Sequence, residues 1–411
     1  MIEEFLKDPR TISRIREGLF GKYLDSFTAE LREQGYATFT VRLQVRLIAD
    51  FGRWLHLNKI SLARITDMHA KKYLEQRKQR PRRDDKFAIK RFLHALRQAG
   101  AIATESLPAQ TMTPAEKFTD EYSDYLKKER ALAPSTIRQY KDFVKPFLLD
   151  CFAADELRFS SLCPLDVIGF VQRQAAVLHR KRAKVMTTAL KSFFQYLWFQ
   201  GLVKLNLAAA VPTVANWKMA EIPKALPLNQ VEQVIGSCDR ETAIGRRNKA
   251  ILLLLARLGL RAGEVAFLLL DDINWQAGYV TVRGKGGCLA HLPLPADVGE
   301  ALADYLQNGR PRTSSRKVFL RQKAPIVCFT SQRAIGSIVA RALARAGIES
   351  PRKGAHQFRH SLASKMLQHG ASLPEIGELL RHQSVQTTEI YTKIDLISLR
   401  ALAMPWPGGA K

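Results

Sequence analysis

The sequence predicts a mainly helical protein with two similar helical domains, followed by a mixed α/β domain that carries a small β-hairpin. Three observations support this. Apolar residues recur at three- and four-residue steps through the first half, as on one buried face of a helix. A pattern of residues repeats between segments 20–105 and 118–210. Beyond a proline-rich stretch the helical period breaks, and two short strand-like runs flank a glycine-rich turn.

The helices of the first half are read from periodicity. Leu43, Leu47, Ile48, Phe51 and Leu55 share one face, and Phe193, Phe194, Leu197 and Trp198 another. Ala133-Pro134-Ser135-Thr136 looks like a helix start at which Ser135 or Thr136 caps the first amides. In the repeat, Thr40-Val41-Arg42 and Phe51 are echoed by Thr136-Ile137-Arg138 and Phe147. Lys90, Phe92, Leu93, Leu96, Gly100 and Ile102 line up, at one constant offset, with Lys191, Phe193, Phe194, Leu197, Gly201 and Val203. These features divide the chain into helical domains at 1–105 and 114–210, a linker at 211–227 and a last domain at 228–411. Pro212, Pro223 and Pro227 mark the linker, because proline removes an amide donor and interrupts helices.

In the second half, Asn248 to Leu258 reads as an apolar helix and Glu264 to Leu270 as another. Tyr279 to Val282 and Ala290 to Leu294 read as strands joined through Arg283-Gly284-Lys285-Gly286-Gly287, whose glycines suit a hairpin tip.

Composition narrows the function. The 411 residues hold 64 Lys and Arg against 38 Asp and Glu, a net charge of +26. Such an excess favours a polyanionic partner, because each phosphate neutralised releases counterions. Nucleic acid is preferred over a ribosomal or anionic-membrane role. The N-terminus lacks the pattern of a secretory signal, and the longest apolar runs, Ile251 to Ala256 and Val265 to Leu270, are too short to span a bilayer. Five scattered cysteines form no CxxC pair, so neither a zinc knuckle nor a disulfide framework is expected. The expected location is the cytoplasm, at the nucleoid. Arg42, Arg46, Arg53, Arg138, Lys141, Lys145 and Lys191 lie on the basic sides of the helical domains. From these, Arg42, Arg46, Arg138, Lys141 and Lys191 are candidates for contacts to the DNA backbone, which position a protein without reading sequence.

Five elements then occur in order. Leu258-Gly259-Leu260-Arg261-Ala262-Gly263-Glu264-Val265 resembles the first arginine box of the tyrosine recombinase, or phage integrase, family. The hairpin Val280 to Leu294 resembles the family's lysine-bearing turn, His356-Gln357-Phe358-Arg359-His360 its HxxR box, and Leu379-Leu380-Arg381-His382 its second histidine box. Glu389-Ile390-Tyr391-Thr392 resembles the nucleophile segment. The resemblance covers roughly residues 118 to 400. It implies a helical, SAM-like core-binding domain before the linker and a mixed catalytic domain after it. Arg381 departs from the pattern, since the family usually has glycine before this histidine. Another basic group there adds a candidate phosphate contact or perturbs His382. The extra helical domain at 1–105 is a second departure.

What the resemblance implies has a physical rationale. A tyrosine hydroxyl conserves the energy of a cleaved phosphodiester as a phosphotyrosine link that can be reversed. Tyr391 is the expected nucleophile. Arg261 and Arg359 would neutralise the charge on the phosphate oxygens through bidentate hydrogen bonds, with no metal and no other cofactor needed. Lys285 would protonate the departing 5′-oxygen. His356 would hydrogen-bond the phosphate and accept the tyrosine proton, and His382 would be a second phosphate donor. Glu264, one helical turn from Arg261, would orient the catalytic groups. The Arg261–Glu264 spacing alone would also fit an ordinary ion pair.

The expected partner is double-stranded DNA carrying a specific recombination site, on which four copies of the chain assemble, with other recombinases as further partners. Integration, excision and transposition in a mobile element all fit. Ile394 to Leu402 is apolar enough for a helix that docks on a neighbouring subunit. A type IB topoisomerase shares the chemistry, and a DNA-binding protein with a silent site shares the charge. Both remain alternatives at this stage.

Overall fold

The computed structural model describes residues 2–77, 82, 84–103, 112–152, 156–214, 225–284, 288–350, 353–382, 384 and 387–394. The helices are α1 (Pro9–Glu17), α2 (Gly21–Glu33), α3 (Thr38–Leu57), α4 (Asp67–Gln76), α5 (Asp85–Gln98), α6 (Pro114–Lys128), α7 (Pro134–Phe152), α8 (Pro164–Val177) and α9 (Arg180–Phe199). Then come α10 (Leu228–Gly236), α11 (Ala243–Arg257), α12 (Ala262–Ala266), β1 (Ile273–Asn274), β2 (Tyr279–Arg283), β3 (Leu289–Pro293), α13 (Ala296–Asn308), α14 (Arg333–Arg345), α15 (His356–Gln368) and α16 (Leu373–Leu379). The fold is mainly helical, with one three-stranded antiparallel sheet in the order β1-β2-β3 among the described residues. Two compact units form, one from 105–220 and one from 1–104 together with 221–411.

Unit 105–220 shows why its sequence folds. Thr113 caps α6 by accepting from the Glu116 amide, while the Glu116 side chain accepts from the Thr113 amide, a reciprocal cap set by Thr-Pro-Ala-Glu. Tyr122, Phe147, Phe170, Phe193 and Phe194 are fully buried and meet mostly edge to face, which suits the quadrupoles of their rings. Two local expectations need correcting. Helix α7 begins at Pro134, so Ser135 and Thr136 lie inside its first turn and neither precedes it as a cap. Trp198 is 44% exposed, because the buried face of α9 is completed by Phe193, Phe194 and Leu197 without it.

The paired positions of the repeat have matching environments. Phe51 and Phe147 are fully buried, as are Phe92 and Phe193 and also Leu93 and Phe194. Gly100 and Gly201 take φ of 67° and 68° just past the ends of α5 and α9. In both places the following amide reaches back to close the helix, from Ala101 to the Leu96 carbonyl and from Leu202 to the Leu197 carbonyl.

In the other unit, residues 2–102 build one apolar core around Phe20, Phe27, Phe51 and Phe92. A second core surrounds α11, whose residues Ala250 to Ala256 are buried all round because the run has no polar face. Beyond α12, the reading of one helix from Glu264 to Leu270 gives way to a bridge at Leu269 and a 3-10 turn at Leu270–Asp272 that leads into β1. Strands β2 and β3 pair from Tyr279↔Pro293 to Arg283↔Leu289, and Arg283 is held by the buried Asp272 at 2.6 Å. The two parts of this unit touch where the Ile326 amide donates to the Gln34 carbonyl at 2.9 Å. Gly35 beside it has φ 75°, and a Cβ there would overlap Ile326. Part of the expected linker, 215–224, and the stretch from 395 in which a docking helix was expected lie outside the described residues.

Candidate active site

The first guanidinium is placed by a glycine turn. Gly259 leaves α11 at φ 56°, and an added Cβ would lie 2.8 Å from Leu380 Cδ2 and 3.0 Å from Leu362 Cδ2, so only glycine fits. The turn sets Arg261 at the start of α12. Glu264, whose side chain is 5% exposed, accepts from the Arg261 amide at 2.7 Å and from its Nη1 at 2.9 Å. One carboxylate thus fixes both the helix start and the guanidinium. Arg261 Nη2 donates to the Arg381 carbonyl at 3.1 Å.

The second guanidinium comes from the first turn of α15. Arg359 is 2% exposed, and its Nη1 donates to the Gly259 carbonyl at 2.6 Å. Its Nη2 donates to the Leu380 carbonyl. It therefore ties the arginine turn to the second histidine turn. Burial first, and then Arg261 and Arg381, push its pKa down to about 10, which still leaves it cationic at neutral pH.

Arg381, expected to add a phosphate contact or to perturb His382, is turned inward toward Glu264. Its Nη2 donates to Glu264 Oε2 at 2.8 Å, and its side chain is only 12% exposed. Its φ is 54°, the left-handed region that glycine occupies without cost. A glycine at this place would meet that backbone requirement without cost, and the arginine found here meets it with an added ion pair.

Three imidazoles line the same wall. His356 opens α15 and is exposed, and its pKa is lowered by desolvation and by Arg359 and Arg261. Given that exposure, the two neighbouring guanidiniums are the more persuasive cause. His382 Nδ1 lies 2.8 Å from the hydroxyl of the buried Thr388. Burial, then Arg359 and Arg261, push His382 down to about 4, so it is neutral at pH 7. A neutral ring whose Nδ1 accepts from Thr388 has Nε2–H left to donate.

Tyr391 lies in a 3-10 turn, Glu389–Ile394, and is 1% exposed in a small apolar cluster with Ala363, Ile376 and Leu380. Its hydroxyl is 2.9 Å from His360 Nδ1. Burial pushes its pKa up to about 12, against a smaller opposing pull from Arg359. The resemblance implied that His356 accepts the tyrosine proton; the imidazole in contact with the hydroxyl here is His360, one turn further along α15. The available signal was the four-residue spacing of His356 and His360, which puts both on one helix face with ring centroids 5.5 Å apart.

Arg261, Arg359, His356, His382, Glu264 and Tyr391 are thus drawn together by α12, α15 and the 380–391 segment of one chain. Lys285 lies outside the described residues; on either side of it the Gly284 amide donates to the Cys288 carbonyl at 2.8 Å. Among the residues expected at the DNA backbone, Arg46 and Arg138 are exposed. Lys191 is half-buried, Arg42 Nε donates to the Phe5 carbonyl at 2.8 Å, and Lys141 pairs with Asp120. A basic cavity of about 580 Å³ beside α14 went unnoticed in the sequence. Arg247, Arg321, Lys323, Arg333, Arg341 and Arg345 line it with no carboxylate among its described lining residues.

A phenol that feels the charge of Arg359, itself close enough to Arg261 to feel its charge, is suited to attack an anionic phosphodiester, and a net charge of +26 makes DNA the natural source of one. That combination defines a class of enzymes that break and rejoin DNA. Residues 224–396 match the phage integrase family, and residues 119–201 match the phage integrase N-terminal SAM-like domain. The chain is 47% identical to y4rA of Sinorhizobium fredii, whose name places it among the integrases and recombinases, over 99% of each chain. It is 30% identical to the tyrosine recombinase XerD of Listeria monocytogenes, over 68% of this chain and 95% of that one. In fold it resembles the XerH site-specific recombinase in its post-cleavage complex, with TM-score 0.56 and 21% identity over 69% of this chain and 83% of that one. It also resembles a lambda integrase dimer on a core site, with TM-score 0.53 and 15% identity over 80% and 91%. The chain belongs to the tyrosine recombinase, or phage integrase, family, enzymes that exchange DNA strands by tyrosine-mediated cleavage and rejoining.

Proposed function

We propose that this chain carries out site-specific strand exchange with Tyr391 as nucleophile and Arg261 and Arg359 as the phosphate clamp. The observation that carries this reading is the convergence of a buried phenol with two guanidiniums, both tethered to the backbone at 380–381. Tyr391 Oη attacks the phosphorus, forming a 3′-phosphotyrosine link and releasing a 5′-hydroxyl. As phosphorus becomes five-coordinate, the guanidiniums take up charge on the non-bridging oxygens, and their prior tethering removes the cost of reorienting them. His356 and the neutral His382 add hydrogen bonds to the same oxygens. Lys285 supplies the proton to the departing oxygen. Attack by the 5′-hydroxyl of a partner strand reverses the step and seals the exchange.

Glu264 keeps Arg261 extended toward the substrate, and Arg381 holds Glu264 from its other side. Duplex DNA would be held through its backbone by the exposed Arg46 and Arg138 and by the basic cavity at α14. The lambda integrase has been solved as a tetramer on a Holliday junction, with TM-score 0.51 to this chain. We carry a tetrameric assembly on DNA over to this chain. No described helix is long and apolar enough to cross a membrane, and with the basic charge we assign the protein to the nucleoid.

The test is an exchange assay. Two duplexes bearing a site recovered by binding selection, only one of them labelled, are incubated with the purified chain and no metal or nucleotide. Recombinant products with wild type and none with Tyr391→Phe are expected. Relaxation of any supercoiled plasmid without joining of sites would favour a topoisomerase instead.

A further inference from the structure

Among the described residues, His360 is in hydrogen-bonding contact with the Tyr391 hydroxyl and has no role in the mechanism proposed above. Its Nδ1 is 2.9 Å from Oη, and the rings lie 5.7 Å apart at 60°, so the contact is made through the nitrogen and not by stacking. His360 sits on α15 between elements already fixed. Arg359 precedes it and is anchored to two carbonyls, and Ser361 follows it with its hydroxyl donating to the Leu226 carbonyl at 2.8 Å. The backbone beneath the imidazole is therefore held on both sides.

We propose that His360 is a catalytic residue, the acceptor of the Tyr391 proton during cleavage and its donor during rejoining. This rests on Tyr391 being the nucleophile. In the forward step the Oη–phosphorus bond forms as the proton passes from Oη to Nδ1, and the phosphorus–5′-oxygen bond breaks with that oxygen protonated from the other side of the site. In reverse, the 5′-hydroxyl attacks, the tyrosine oxygen departs, and Nδ1 returns the proton to it. The need for an acceptor is plain, because burial raises the phenol to about 12 and a tyrosinate is scarce at neutral pH. His356, the other histidine on this face, opens α15 on its exposed side, where a phosphate is reachable.

Covalent adduct formation in a single turnover tests this, on the selected duplex nicked beside its mapped cleavage position. His360→Asn keeps a hydrogen-bonding atom near the place of Nδ1 but cannot carry a proton. It should bind DNA normally and cleave about 100-fold or more slowly, with rejoining slowed equally. Replacing the departing 5′-oxygen by sulfur removes the need to protonate it, so the His360→Asn defect should persist on that duplex while a defect of Lys285→Ala is relieved. Added imidazole should partly restore His360→Ala. Cleavage by His360→Asn and His360→Ala within about threefold of wild type, with Tyr391→Phe inactive, overturns the role of His360 and leaves the nucleophile intact. An adduct formed by Tyr391→Phe overturns the reading beneath it.

Discussion

Arg381 holds a backbone conformation that arginine disfavours, and the ion pair with Glu264 is what it gains there. A non-glycine residue in the left-handed region costs roughly 1–2 kcal/mol. Arg381→Ala keeps that strain and loses the pair, whereas Arg381→Gly loses both. Urea denaturation should therefore find Arg381→Gly more stable than Arg381→Ala by about 1 kcal/mol, and equal stabilities would show that the strain lies elsewhere. The histidines predict a pH dependence. His382 binds its proton near 6.5 when unfolded but only near 4 in the fold. Between those values the unfolded chain carries more protons, so stability is full above about 6.5 and declines as the pH falls toward 4. His356, also lowered, acts in the same direction. His382→Asn should flatten the decline in unfolding free energy measured from pH 7 to 4.5, and an unchanged slope would assign the effect to other groups.

Helices and strands with a strong period could be read directly from the residues. The apolar run at 250–256 and the faces through Phe51 and Phe193 are set by local spacing. The paired ends of α5 and α9 make a prediction about both copies. Gly100→Ala and Gly201→Ala should each cost about 1 kcal/mol, because both force a side chain into positive φ. Phe193→Ala should cost about 3–5 kcal/mol by leaving a cavity among the rings. Denaturant melts of the full chain check all three, and indifference at one glycine alone would show that the two helix ends are not equivalent. Local spacing could not show what crosses between elements. Glu264 was legible as a partner of Arg261 three residues away, but its second ion pair reaches Arg381 at the far end of the domain. His360 meets Tyr391 across 31 residues of sequence, and no periodicity encodes such a contact. Trp198 sits at the edge of its apolar face, where helical spacing alone does not separate buried from exposed.

On the scale of the whole molecule, positive charge gathers in one cavity beside α14. The α14 cavity brings six cationic side chains together, two of which, Arg341 and Arg345, lie one helical turn apart. If phosphates are neutralised there, the logarithm of the binding constant should fall steeply and linearly with the logarithm of salt concentration. Arg333→Gln and Arg341→Gln should each reduce that slope by about 1 on every duplex tested. An unchanged slope would remove this cavity from the DNA path. The proposed chemistry joins one phenolic oxygen to DNA. The most direct test digests the trapped protein–DNA adduct with protease and nuclease and sequences the tagged peptide by mass spectrometry. A nucleotide 3′-phosphate on Tyr391 is the predicted result, and the tag on any other residue, or none where strands are nonetheless exchanged, would contradict it.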